Sequence, residues 1–177
     1  MILAEGFEEV EALTAADLLR RAGICCELLS LSGAPWVTGS HGIRVFADGS
    51  FSEADFSFYD GLILPGGMPG TLHLAENDRL LALLRRFAGE GKLTAAICAA
   101  PTVLGKAGLL EGKEAVCYPG REPELRGARI GSGPVSADGS VITSRGLGTA
   151  IPFALALVRY FLGEEASDTL ASAIVYR

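Results

Sequence analysis

The chain has 177 residues, 49% of them hydrophobic and 20% charged, a balance that excludes a disordered chain and supplies one sizeable core. Its formal net charge of -6 offers no basic excess to neutralise phosphates, so nucleic-acid binding is not indicated. No apolar run approaches the ~18 residues of a membrane helix, and the start of the chain lacks a basic flank before an apolar core. The expectation is a cytoplasmic protein with no membrane association.

MILA reads as a first strand, short enough to leave room for residues ahead of Met1. A glycine turn and a helix over residues 8–21 follow, with Gly23 as its stop. In that helix Glu8 and Glu11 lie three apart on one side. Glu11 shares an approximate face with Ala15, Leu18 and Ala22 and is expected to be partly buried, whereas Glu9 is expected to face solvent. ICCELLSL is the second strand, with Cys25 and Cys26 pointing to opposite faces. The Gly/Ser/Pro-rich stretch after it holds a short hairpin containing residues 43–46.

YDGLILP is a third core strand that ends in a sharp turn at Gly66 and Gly67. Residues 77–87 form a helix with an apolar stripe of Leu80, Leu81, Leu84 and Phe87. Residues 93–97 form a strand, and Cys98 stands where it stops and a small-residue helix begins, to be closed by Gly108. Pro101 suits the first turn of that helix. Residues 111–134 are rich in glycine and charge and show weak periodicity. SVITSRG is a strand running into a glycine loop, residues 150–162 are a strongly apolar helix, and EEASDTLASAIV is a shorter helix with an extended tail.

Alternating strands and helices favour a parallel sheet covered on both faces, with ligand sites beyond the carboxyl ends of the strands. The loops 5–11, 65–70, 98–101 and 144–149 all fall there. Cys98 alone suits two readings: an inert core cysteine, or a reactive thiol beside the free N–H groups of a helix start, which favour thiolate. The shared location of the four loops favours the second. A buried Glu11 would keep its proton and donate a hydrogen bond to the sulfur. N–H groups near Gly66, Gly67 and Ala99 could receive an oxyanion, and Arg145 could position an anion. The four cysteines form no CxxC pair, and with histidines only at His41 and His73 neither a metal site nor a disulfide framework is indicated.

The stretches LAEGFEEVEAL, DGLILPGGMPG, AAICAAPTVL and ITSRGLGTAIPFALALV resemble, in order, the ThiJ/PfpI superfamily, on the branch of the Parkinson-disease-associated protein deglycase and its bacterial homologues. That resemblance implies a single-domain, flavodoxin-like α/β sandwich over residues 1–177, with a mostly parallel central sheet and helices on both faces. It matches Cys98 to the reactive elbow cysteine, Glu11 to its hydrogen-bonding carboxylic acid and Glu8 to another acidic pocket residue. Gly67 and Ala99 match the backbone N–H positions of the oxyanion nest. It further implies a homodimer with Asp17 and Arg21 bordering the partner's site, no cofactor and no metal. The implied chemistry is deglycase or glyoxalase action on small reactive aldehydes or glycated groups; the alternative is a cysteine redox sensor or stress chaperone. One departure is Tyr118 in VCYPG, where many members carry a histidine near the cysteine.

Overall fold

The computed structural model describes residues 1–176. In chain order the elements are β1 (Ile2–Leu3), α1 (Glu9–Arg21), β2 (Leu29–Ser30), β3 (Trp36–Thr38), β4 (Arg44–Phe46), β5 (Gly49–Ser50), β6 (Gly61–Leu64), α2 (Gly70–Glu76), α3 (Asp78–Gly89), β7 (Leu93–Ile97), α4 (Pro101–Ala107), β8 (Glu114–Ala115), β9 (Arg129–Ile130), β10 (Val135–Asp138), β11 (Val141–Ser144), α5 (Ala150–Leu162) and α6 (Glu164–Ala173). Parallel β1, β2 and β5 form one ladder, and β6, β7 and β11 form another that β10 closes on its antiparallel edge. β1 lies beside β6, which joins the two ladders into a central, mostly parallel layer.

Strand alternation builds two apolar layers. Ile63, Ala95, Ile97 and Ile142 face α1, α5 and α6, while Leu62, Leu64, Ala96 and Val141 face α3 and α4. All five residues of β7 are buried, as a central parallel strand requires. The helix signals read from the sequence hold, with Pro101 at the start of α4 and Gly108 stopping it at φ 80°, and Asn77 caps α3, its Oδ1 accepting from Leu80 N–H at 2.9 Å. Among the described residues, no helix is long and apolar enough to cross a membrane.

The departures have local causes. ICCELLSL pairs only at Leu29 and Ser30, because side chains occupy the backbone before them: Arg20 donates to the Cys26 carbonyl at 2.7 and 2.9 Å, and Leu28 N–H donates to Asp48. Cys25 is nevertheless exposed and Cys26 buried. The PGGMPG turn runs directly into α2, which the glycines and prolines conceal. Residues 111–134 hold the two-residue pair β8 and β9, too short to show a period, and β10 follows as an edge strand. The helix after Cys98 begins at Pro101, since Ala99 and Ala100 form the turn into it.

Glu9 is a correction. It is 2% exposed, sealed under the turn between β3 and β4. Its carboxylate accepts from His41 N–H at 2.8 Å, His41 Nδ1 at 3.1 Å, Ile43 N–H at 3.3 Å and Ser40 Oγ at 3.4 Å. Burial pushes its pKa up, but its own backbone N–H, followed by the His41 and Ile43 donors, outweighs burial and holds it at about 2. Helical period alone placed it outward; the hairpin laid over it comes from elsewhere in the chain. Because its pKa is depressed, Glu9 stabilises the fold above its ordinary value of 4.5, and that contribution is lost as pH falls through about 2. Glu9→Ala should lower the urea-unfolding free energy at pH 7 by about 2 kcal/mol, since it strands the part-buried N–H donors of His41 and Ile43. An unchanged unfolding midpoint would contradict that.

Candidate active site

The chain leaves β7 at Ile97 and turns at Cys98, whose φ of 65° lies in the left-handed region that non-glycine residues seldom enter. Three bonds hold the turn: Cys98 N–H donates to the Ser144 carbonyl at 3.0 Å, Tyr118 N–H donates to the Cys98 carbonyl at 2.7 Å, and Thr102 Oγ1 donates to the Ala99 carbonyl at 2.7 Å. The thiol is thus lifted above the carboxyl ends of β7 and β11, where ligand sites gather in open α/β sheets. It is partly exposed.

Glu11 comes to the sulfur from α1. It is 1% exposed, and its Oε2 accepts from the Gly66 N–H at 2.9 Å. Glu11 Oε1 completes no hydrogen bond. The carboxyl lies close enough to the thiol that each group shifts the other's proton affinity. A side chain at Gly66 would place its Cβ 2.5 Å from Cys98 Cβ and 2.8 Å from Glu11 Oε2, so only glycine admits this approach. Gly67, at φ 92°, backs directly onto the Glu8 nitrogen.

Burial raises the Glu11 pKa to about 7, with Glu8 adding to the rise while the Gly66 N–H and Cys98 oppose it. Cys98 is pushed up to about 12 by burial first, then by the charge of Glu11 and its acceptor oxygen. The N–H groups of Ala99 and Gly67 pull it down, as the turn was expected to do, but they are outweighed. Two of the causes that hold the thiol protonated vanish when Glu11 carries the proton. The two acids therefore titrate as one unit: a protonated Glu11 leaves burial as the main opposition to thiolate, and a charged Glu11 adds to it.

Gly146, following β11, was not singled out from the sequence, although it adjoins Arg145. A Cβ there would stand 3.5 Å from Tyr118 Cδ2, 3.9 Å from Glu11 Oε1 and 4.0 Å from Cys98 Sγ. Its missing side chain leaves open the one point on which ring, carboxyl and sulfur converge. Tyr118 is 53% exposed at the rim. Arg145 is half-buried and acts on Cys117 instead, where its charge draws the thiol pKa down against burial and two glutamates. Asp17 and Arg21 pair at 2.6 Å on the outer face of α1 and do not reach this chain's own site.

Glu8 accepts from Ser40 Oγ at 3.2 Å and lies 3.5 Å from His41 Nδ1. With Glu9 and His41 it offers three ligand atoms within 4.8 Å of one another, but both Glu9 oxygens are already taken by N–H and O–H donors. A cavity of about 620 Å³ is at the opposite end of the strands, between Ile24, Cys25, Tyr59 and Leu162, and none of the site residues lines it.

A doubly covered, mostly parallel sheet with a cysteine on a strained turn beside a buried carboxyl defines a class: α/β proteins built around an elbow cysteine. The DJ-1/PfpI family profile matches residues 1–160, and the chain belongs to that family. Protein dj-1beta of Drosophila melanogaster is 39% identical over 177 residues, covering 99% of this chain and 95% of that protein. The deglycase PH1704 of Pyrococcus horikoshii is 31% identical over 147 residues, covering 81% of this chain and 87% of that protein. The solved structure of oxidized Toxoplasma gondii DJ-1 superposes with a TM-score of 0.94 at 36% identity, covering 98% of this chain and 95% of that one.

Proposed function

We propose that the chain, working as one domain, is a cofactor-independent glyoxalase or deglycase that acts through Cys98 on methylglyoxal or its adducts. The observation that carries this reading is Glu11 Oε1, buried, without a completed hydrogen bond, and facing the same open point as Cys98 Sγ. The kinship to a protein named as a deglycase supports the substrate class.

In the reactive form Glu11 holds the proton and Cys98 is thiolate. The sulfur adds to the aldehyde carbon, the carbonyl electron pair moves to oxygen, and Glu11 protonates that oxygen to leave a hemithioacetal. The Gly67 and Ala99 N–H groups stabilise the charge as it develops. Glu11, now a carboxylate, takes the hydrogen of the former aldehyde carbon as a proton and returns it to the neighbouring carbon, while the hydroxyl proton passes to the neighbouring oxygen. The product is a thioester of a 2-hydroxy acid, one carbon oxidised and the other reduced. Water adds to the thioester, one of its protons returning to Glu11 and the other leaving to solvent; the carbon–sulfur bond breaks, and lactate leaves with the thiolate restored. The sum is methylglyoxal plus water giving lactate and a proton.

Purified protein given methylglyoxal should form lactate in step with aldehyde loss; aldehyde loss without lactate would overturn this reading. A preformed, washed adduct supplied without free aldehyde separates true deglycation from scavenging. The homodimer belongs to the same proposal, with the exposed Val10, Leu13, Asp17 and Arg21 face of α1 turned toward the partner.

A second reading, oxidation of Cys98 as a redox signal, is favoured by the oxidized relative and by the N–H groups of Gly67 and Ala99 at the sulfur. Mild peroxide should add the mass of two oxygens to the intact protein and none at Cys98 in a Cys98→Ala variant. A wild-type mass that stays unchanged would exclude the sensor role.

A further inference from the structure

Large apolar side chains stand exposed on the loops beyond the carboxyl ends of the strands, the end of the sheet that carries Cys98. Tyr118, Met68, Leu72 and Leu147 are 53%, 41%, 46% and 52% exposed, on the loops and first helix turns that follow β6, β8 and β11. Of these, only Tyr118 is shown bonded to the cysteine turn, through its N–H to the Cys98 carbonyl at 2.7 Å. Its carbonyl is held in turn by the Cys117 thiol at 3.4 Å. The backbone at 118 is therefore fixed relative to the sulfur, and the ring edge stands over the gap that Gly146 leaves open.

We propose that Tyr118 is the specificity-determining wall of the site, selecting α-oxoaldehydes that carry a planar aromatic or apolar substituent, of which phenylglyoxal is the simplest. The substrate class rests on the function proposed above. The sulfur and Glu11 reach the dicarbonyl from one side of the gap, and the substituent lies against the ring on the other. A side chain at 146 would fill the space between them. Aromatic contact of this kind is worth up to about tenfold in selectivity. The same bond changes convert phenylglyoxal and water to mandelate, with no added oxidant or reductant.

The test separates recognition from turnover. Rates of Cys98 alkylation by N-phenyl iodoacetamide and by iodoacetamide are measured for wild type, Tyr118→Ala and Tyr118→Phe, with glutathione as the unstructured reference and Cys98→Ala to confirm the labelled residue. The phenyl-to-parent rate ratio should exceed that of glutathione by about tenfold in wild type and Tyr118→Phe. In Tyr118→Ala it should fall to the glutathione value. A wild-type ratio equal to that of glutathione, or a ratio unmoved in Tyr118→Ala, would overturn the proposal. Absence of lactate from methylglyoxal would defeat the catalytic reading and leave this ratio standing. A raised ratio with mandelate formed from phenylglyoxal faster than lactate from methylglyoxal would support both.

Discussion

Cys98→Ala should abolish lactate formation, a loss of at least about 10⁴-fold, because no other thiol can replace the sulfur. Cys117 is buried in the opposite apolar layer, Cys26 is buried near the start of the chain, and Cys25 lines the cavity at the far end of the strands. Cys98→Ser should lose nearly as much, since a hydroxyl at that turn is a far weaker acid than a thiol. Alanine keeps the same backbone strain at φ 65° and breaks none of the three bonds that hold the turn. Its unfolding midpoint should therefore stay near that of wild type, so lost turnover would report chemistry. Retained turnover in Cys98→Ala would end the nucleophile account.

Glu11→Gln should lower turnover by about 10²- to 10⁴-fold while making the fold more stable at alkaline pH. The amide can still accept from the Gly66 N–H, so the site keeps its shape, but it can neither carry a proton to oxygen nor remove one from carbon. The stability effect follows from the raised pKa. Folding favours the protonated carboxyl, so its stabilisation is complete below the ordinary value of 4.5 and is lost as pH rises through about 7. Over that interval wild type should lose about 3 kcal/mol relative to Glu11→Gln. Urea unfolding at pH 4.5 and pH 8.5 measures it: the two proteins should differ more at the higher pH, with the variant ahead. A variant less stable at pH 8.5 would show that the carboxylate is welcome in the fold.

Fold class was legible in the sequence, as was the turn that carries Cys98, because the signals were local. Residues 93–97 read as a fully buried strand, Pro101 and Gly108 bracketed a helix, and the apolar run 150–162 kept its bounds. Burial of Glu11 was legible too, from the small residues that share its helical face. What stayed hidden depended on contacts distant in sequence. Glu9 looks outward until the turn at Ser40 and His41 closes over it. Gly146 is one glycine among 23, and only the folded chain places its hydrogen opposite Glu11, Cys98 and Tyr118. The thiolate expected from the helix start left out burial of the sulfur itself, which, together with the charge of Glu11, outweighs the backbone N–H groups.

The account turns on one proton shared by Cys98 and Glu11, and the pH dependence of Cys98 alkylation tests it most directly. Wild type should gain reactivity through about pH 7 as the pair loses its first proton, then level off, because a fixed fraction of the singly charged pair is thiolate. Glu11→Gln should lose that rise near pH 7 and follow the titration of the thiol alone. Identical profiles in the two proteins would contradict the account.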